Sequence, residues 1–230
     1  MPLRGGQAKP LLVEETGRFG FPRPSPDGDW LLIERLTPGT VPGTHADLLK
    51  VPMTGGPEEF IASDISGTPH CAALSIALCA YAKKVNDELV FMSFDSQLKQ
   101  RHELGRFRYP DSKGFYDWAL SPDATRIAIL QVTTGNIYLL DLKTHVLRHI
   151  IVKHWNNLIN LDWTSDGKGL FMASLQPGAV LLHVDLQGNV KVLWEPGGDH
   201  MIWALSSPDG KHLAMSFFST NVNVWMMENF

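Results

Sequence analysis

Short apolar segments alternate with polar turns along the whole chain, and a turn of one composition recurs four times. Three of its aspartates, Asp123, Asp166 and Asp209, follow one another at intervals of 43 residues, and Asp27 precedes the first of them by 96. A fixed period of this length is the signature of a repeat protein, so the chain is predicted to consist of repeated units. The four turns read SPDG at 25–28, SPDA at 121–124, TSDG at 164–167 and SPDG at 207–210.

An apolar triplet follows each turn at nearly the same distance, and continuous triplets are typical of strands that are buried on both faces. A further strand follows, and in one repeat the turn at Gly188 leads into another strand at 190–194. The unit therefore reads as four strands in about 43 residues, which is the size of a propeller blade. The triplets lie at 31–33, 127–129, 170–172 and 213–215, and the strands after them at 136–142, 180–186 and 222–227.

The predicted fold class is all-β, a β-propeller of four-stranded antiparallel blades. The blade between Asp27 and Asp123 has lost its Pro-Asp-Gly turn, and residues 70–79 occupy the place of its first hairpin. No segment of 12 or more residues shows helical periodicity. The chain is thus predicted to form one domain over 1–230, with blades at about 15–62, 63–108, 109–153, 154–197 and 198–230.

The two ends leave the closure of the ring open. Residues 1–14 resemble the turn and fourth strand of a blade, and they are a candidate closing strand for the last blade. In the rival interpretation, the chain is the C-terminal piece of a larger propeller whose earlier blades are missing. The start of the chain resembles a strand cut in mid-blade, which slightly favours the rival.

The repeated turns, with Leu120 or Trp163 just ahead and an apolar triplet behind, resemble the WD-like propeller repeats of the TolB family over residues 3–230. More narrowly, the segments 117–123, 161–163, 193–195 and 223–230 look like a group from acidobacteria. In that group, a propeller forms the C-terminal, often extracytoplasmic, part of serine/threonine kinases or winged-helix regulators. The resemblance implies a sensory or scaffold role and transfers no catalytic residue.

Composition excludes several classes of function. Hydrophobic residues make up 44% and charged residues 19% of a chain with a formal net charge of −4, which is typical of a globular protein without the basic face that nucleic acid requires. The longest apolar run, at 71–82, is shorter than the ~20 residues of a spanning helix. The N-terminus lacks the apolar stretch of a signal peptide. No G-x-S-x-G elbow, phosphate loop, dinucleotide fingerprint or H-E-x-x-H motif occurs.

The recurring aspartates and the two cysteines have structural interpretations. One aspartate per blade at a hairpin turn is predicted to bond its own turn backbone, rather than to bind calcium or act as an acid or base. Cys71 and Cys79 bracket the altered hairpin of the second blade, where a cross-strand disulfide and two buried free thiols are both open. Only His70 lies beside them, so a zinc site is disfavoured, and no metal or cofactor is predicted. A disulfide would imply an oxidising compartment, so a periplasmic or extracytoplasmic location is expected, with the cytoplasm as the alternative.

The irregular loops at one end of the strands are the predicted binding face. The candidate binding residues are His154, Trp155, Asn156, Asp199 and His200. Variable loops on a rigid scaffold often carry recognition, and an amphipathic tryptophan suits a binding hot spot. In the competing interpretation, Trp155 fills the gap between two blades, as Trp118, Trp163, Trp203 and Trp225 are predicted to do.

The predicted function is a non-catalytic binding or sensing module, which takes a protein, peptide or small-molecule ligand on one propeller face. It would be the C-terminal part of a larger signalling protein. The alternative is the propeller portion of an enzyme, either glycosidase-like or the accessory domain of a kinase or peptidase.

Overall fold

The chain folds into β-strands joined by short turns. A computed structural model describes residues 10–13, 18–36, 44–73, 78–95, 100–110, 114–132, 134–155, 157–175, 178–195, 200–207 and 209–219. Blade one contains β1 (Arg18–Pro24), β2 (Trp30–Leu36), β3 (Thr44–Pro52) and β4 (Glu59–Ser66). Blade two contains β5 (His70–Cys71), β6 (Leu78–Val85), β7 (Glu88–Asp95) and β8 (Arg101–Arg108). Blade three contains β9 (Tyr116–Leu120), β10 (Arg126–Gln131), β11 (Asn136–Asp141) and β12 (Leu147–Ile150). Blade four contains β13 (Leu158–Trp163), β14 (Gly169–Ser174), β15 (Val180–Asp185) and β16 (Val190–Trp194), and blade five contains β17 (His200–Ser206) and β18 (Leu213–Ser219).

Each of the first four blades is a four-stranded sheet in which sequential strands are hydrogen-bonded neighbours. Neighbouring strands run antiparallel, as short hairpin connections require. The described residues contain no helix, so the prediction of an all-β propeller of four-stranded blades is confirmed. The described part of blade five has two strands. The strand predicted at 222–227 lies outside the described residues.

The predicted closing strand is described only in part. Residues 10–13 form no strand, and residues 1–9 and 14 lie outside the described residues.

The chain divides into two compact units. The first unit comprises Met1–Gly114, Trp118–Ile127 and Leu140–Val146, and the second comprises Phe115–Asp117, Ala128–Leu139 and Leu147–Phe230. A core cluster of the first unit joins blades one and two through buried side chains that include Leu32, Leu48 and Tyr81. In the second unit, a smaller cluster joins blades four and five through Ala173, Leu181 and Ala204.

The burial of the second strand differs from blade to blade. In β10 the triplet Ile127–Ala128–Ile129 is fully buried, as predicted for a strand covered on both faces. In β2, buried and half-buried residues alternate, and in β18 Ala214 and Met215 are exposed, so the prediction is wrong for these two strands. Apolar composition alone cannot report burial, because the covering surface comes from neighbouring sheets.

Two of the four tryptophans at repeat positions are buried in the core. Trp118 is 0% and Trp163 is 2% exposed, which confirms their predicted packing role. Trp203 is half-buried, and Trp225 lies outside the described residues. The described residues include no helix of the length and apolarity that crossing a membrane requires.

Candidate functional site

The four recurring aspartates make the same hydrogen bonds in their turns. In blade four, Oδ1 of Asp166 accepts the Thr164 hydroxyl at 2.6 Å and the Lys168 N–H at 3.0 Å. The Thr164 hydroxyl bond, followed by the Lys168 N–H bond, lowers the pKa of Asp166 below its usual value, because both stabilise the carboxylate. The equivalent pairs are Ser25 and Asp29 around Asp27, Ser121 and Thr125 around Asp123, and Ser207 and Lys211 around Asp209.

A hydroxyl residue closes each of these hairpins. The Ser121 N–H donates to the Arg126 carbonyl at 2.9 Å, and the Ser121 hydroxyl accepts the Arg126 N–H at 2.9 Å. The residue after the aspartate donates its N–H to the carbonyl of this hydroxyl residue in all four turns. Its φ is positive, at +79° for Gly28, +56° for Ala124, +66° for Gly167 and +68° for Gly210. The aspartates are therefore bound within their own turns, at the end of the hairpin.

Two further aspartates, whose role the sequence analysis missed, close turns after the third strand of a blade. Asp141 accepts the N–H groups of Lys143 and Thr144 at 3.1 and 2.7 Å, and Asp185 accepts those of Gln187 and Asn189 at 2.9 and 2.8 Å. The sequence signal was an Asp at the end of the third strand followed by Thr or Gly-Asn. In blade four, both turns at one end of the strands are thus closed by aspartate side chains.

The opposite ends of the strands in the second unit carry loops that contact one another. The Val132 N–H donates to the Phe115 carbonyl at 2.9 Å, and the Leu175 N–H donates to the Asn157 carbonyl at 3.3 Å. A Cβ on Gly135 would lie 3.4 Å from the carbonyl oxygen of Trp155. We call the surface formed by the described residues 115, 132, 134–136, 152–155, 157 and 175 the loop face.

The side chains of the loop face are both apolar and polar. Phe115 is 54% and Leu175 is 39% exposed, Trp155 is half-buried, and His154 is exposed. His154 and Asn157 have φ values of +69° and +52°, so the loop doubles back twice at non-glycine residues. Such backbone conformations persist only where the surroundings fix them, and they are frequent in ligand-binding loops.

A hydrogen-bonded network borders the loop face on blade three. Nδ2 of Asn136 donates to Oε1 of the buried Gln131 at 3.1 Å and to Oγ1 of Thr134 at 3.2 Å. Oδ1 of Asn136 therefore faces Nε2 of the exposed His149 at 3.2 Å. The His149 ring stacks on Tyr138 with centroids 5.0 Å apart and an interplanar angle of 17°. Since Oδ1 of Asn136 is an acceptor, Nε2–H of His149 is the donor in this bond.

The remaining predicted binding residues are only partly described. His200 begins β17, whereas Asn156 and Asp199 lie outside the described residues. The structure thus places the Trp155 backbone beside Gly135. The residues that the sequence analysis missed here are Phe115, Asn136 and His149, since only the fold places them beside one loop.

The two cysteines form the Cys71–Cys79 disulfide in the first unit. His70 next to them is 5% exposed, and burial, followed by the charge of Arg23, holds its pKa well below the usual histidine range. No three His, Cys, Asp or Glu side chains among the described residues are arranged to hold a metal ion.

The fold is similar to that of TolB-type β-propellers among the solved structures. TolB from Acinetobacter baumannii matches with a TM-score of 0.58 and 20% identity, over 86% of this chain and 46% of that one. The putative TolB from Agrobacterium tumefaciens matches with a TM-score of 0.66 and 19% identity, over 90% of this chain and 72% of that one. The predicted resemblance to TolB propellers is therefore confirmed for the fold. The chain spans about half the length of the first of these proteins.

The same fold occurs in an enzyme. The S511A mutant of puromycin hydrolase complexed with PGG matches with a TM-score of 0.59 and 15% identity, over 88% of this chain and 34% of that one. No protein-family model matches the chain.

Proposed function

We propose that this chain is a non-catalytic binding propeller and that the loop face of the second unit holds an extended protein segment of its partner. One observation carries the proposal: Phe115, Trp155 and Leu175 present apolar side chains on the loop face, where Val132 is hydrogen-bonded to Phe115 and Leu175 to Asn157. Aromatic side chains on a rigid, partly desolvated surface are the usual hot spots of protein recognition. The rim supplies polar groups from Asn136 and His149, which suits the N–H and C=O groups of an extended chain.

The other end of blade four offers no comparable surface. Its turns are closed by Asp166 and Asp185, whose carboxylates are already engaged by their own backbones. A face whose turn carboxylates are bound within their own turns supports a scaffold role. We therefore assign recognition to the loop face and stability to the aspartate turns.

We further propose that the module works in an oxidising compartment outside the cytoplasm, as part of a signalling protein. The Cys71–Cys79 disulfide supports the location, because structural disulfides persist where thiols are not kept reduced. The signalling role rests on the sequence resemblance to sensory propellers alone.

The test is selection of peptides against the full chain, followed by loop variants. The immobilised protein is panned with a displayed library of random 12-residue peptides, and enriched peptides are measured by calorimetry. Trp155→Ala and Phe115→Ala should each weaken binding at least about tenfold, the usual effect of truncating a hot spot. The matched controls are Lys168→Ala and Lys211→Ala in the aspartate turns, which should leave the affinity within about twofold. Failure to enrich peptides, or loss of binding only in the turn variants, would contradict the proposal.

A second candidate is the accessory propeller of an enzyme, and the match to puromycin hydrolase supports it. This chain covers 34% of that protein, so the comparison leaves room for a separate catalytic domain. Extending the gene beyond the present sequence separates the candidates, since a hydrolase domain would favour the accessory role and a kinase or winged helix the sensory one.

A further inference from the structure

The disulfide occupies a defined position in the register of blade two. In blades one, four and five, the pair that lies just inside the hairpin turn is Pro24–Leu31, Trp163–Leu170 and Ser206–Leu213. In blade two, the same position of the β5–β6 ladder is filled by Cys71 and Cys79.

The hydrogen bond next to this pair confirms the equivalence. The Ala72 N–H donates to the Leu78 carbonyl at 2.9 Å, as Ser25 donates to Trp30 at 2.8 Å. The Ala72 position thus corresponds to the Ser or Thr that closes the other first hairpins. Alanine has no hydroxyl, so the side-chain bonds that close those hairpins have no counterpart at this residue. The cystine lies beside the position from which they are missing.

The strand that carries Cys71 is short, and the residue before Cys71 is a buried histidine. β5 has two residues, whereas the first strands of the other blades have five to seven. His70 in β5 is buried, and its Nε2 has no hydrogen-bond partner among the described residues. A buried, unsatisfied nitrogen disfavours the folded position of β5. Two ladder pairs and the edge-on contact of His70 with Trp118 oppose that cost, and the covalent link adds to them.

We infer that the Cys71–Cys79 disulfide replaces the aspartate turn as the closure of the first hairpin in blade two, so that a dithiol reductant opens this hairpin and leaves the aspartate-closed hairpins shut. The inference does not depend on the proposed binding function. It gives the propeller one redox-sensitive element at a defined site.

The exchange chemistry is directional. Cys71 is half-buried, whereas Cys79 is 0% exposed, so the thiolate of an incoming dithiol attacks the Cys71 sulfur. The Cys79 sulfur leaves as a thiolate and takes up a proton, and the second thiol of the reductant then displaces Cys71. Two electrons and two protons pass to the protein, and the dithiol is oxidised to its own disulfide.

Hydrogen exchange of the full chain, with and without dithiothreitol, tests the local opening. Peptides that cover residues 70–82 should exchange at least about tenfold faster in the reduced protein. Peptides that cover the aspartate-closed hairpins at 25–30, 121–126 and 164–169 should change less than twofold. Unchanged exchange at 70–82 would overturn the inference, and so would equal acceleration of all these hairpins.

A turn graft tests whether the two closures are interchangeable. In the first variant, Cys71→Leu and Cys79→Ile introduce the residue types that flank the turn of blade three. In the second variant, residues 72–78 are also replaced by the segment 121–126 of that turn. The first should raise the unfolding equilibrium constant about 30- to 100-fold, the effect of losing a cross-link of this loop size. The graft should lower the unfolding equilibrium constant at least about tenfold relative to the first variant, and dithiothreitol should not change it. A graft that does not lower this constant would overturn the inference.

Discussion

The imidazole of His70 lies edge-on to the indole of Trp118, with ring centroids 4.9 Å apart. Both residues are buried, and the Trp118 Nε1–H donates to the Ser66 carbonyl at 3.2 Å. The strand that carries the disulfide is thereby packed against the first strand of the following blade within the first unit. Burial and the charge of Arg23 oppose protonation of the imidazole by lowering the pKa of His70, and the close packing around Trp118 also constrains the neighbouring turn at Gly67.

We expect the stability of the protein to fall as the pH drops from about 6.5. Burial and the charge of Arg23 lower the pKa of folded His70, so the unfolded chain takes up the proton first. Above the unfolded pKa of about 6.5, His70 does not reduce the free energy of unfolding. As the pH falls from there to the folded pKa, this free energy decreases by up to about 1.4 kcal/mol per pH unit. Urea unfolding between pH 7.5 and 5 should show this slope.

The slope should shrink in His70→Gln and persist in the exposed-histidine control His149→Gln. The aspartate turns do not interfere, because a carboxylate with a lowered pKa, such as Asp166, loses its contribution only below about pH 4. An unchanged slope in His70→Gln would show that another group titrates in this range.

Gly67 should not tolerate a side chain. Its φ is +75°, and an added Cβ would lie 2.7 Å from Nε1 of Trp118. Gly55 is the matched control, since its φ is +82° and an added Cβ would meet nothing within 4 Å. Both alanine variants carry the backbone strain of about 1 kcal/mol, and Gly67→Ala should lose a further ~1–3 kcal/mol from overpacking. Equal losses in urea unfolding would contradict the close approach.

Sequence predicted the features that arise from local bonds. The Ser/Thr-x-Asp turns were visible because Asp123 and its equivalents bond residues two positions away, and that spacing is written in the chain. The blade order followed from the same repeat. Asp141 and Asp185 bind backbone N–H groups that are equally close in sequence. The residues around these two aspartates share too little sequence for a common role to be recognised.

Features that depend on packing could not be read from the sequence. His70 looked like one of nine scattered histidines, and only the fold buries it against Trp118. The loop face was predicted through His154 and Trp155. Phe115 belongs to it and His149 borders it only because the fold brings Val132 to Phe115 and Asn136 to His149. Met215 is exposed although it belongs to an apolar triplet that was predicted to be buried. The reason is the same, since burial depends on what covers a strand.

Ala124→Gly should stabilise the protein. Ala124 has a φ of +56° at the turn position where the other repeats have glycine, and its N–H bond to the Ser121 carbonyl survives the change. Relief of the left-handed strain, less the added freedom of glycine in the unfolded chain, should gain about 0.5–1 kcal/mol in urea unfolding. Gly28→Ala is the reverse substitution at the equivalent turn position. Its added Cβ would meet nothing within 4 Å, so the variant should lower the free energy of unfolding by a similar amount through backbone strain alone. A loss in Ala124→Gly would show that the turn does not strain the alanine.

Asp117→Ala should loosen the junction between blades three and four inside the second unit. Oδ2 of Asp117 accepts the Leu161 N–H at 3.0 Å, at a bulge of β13 where Asn160 has a φ of +56°. The bulge interrupts the register between Ile159 and Leu161, and this carboxylate binds the first N–H after the interruption. Leu161 is 4% exposed, and leaving its N–H unsatisfied should cost about 1–3 kcal/mol. Amide exchange at Leu161 should accelerate in Asp117→Ala and much less in Asp117→Asn, which keeps an acceptor oxygen. Equal protection in both variants and the wild type would mean that the bulge is held by its own ladder.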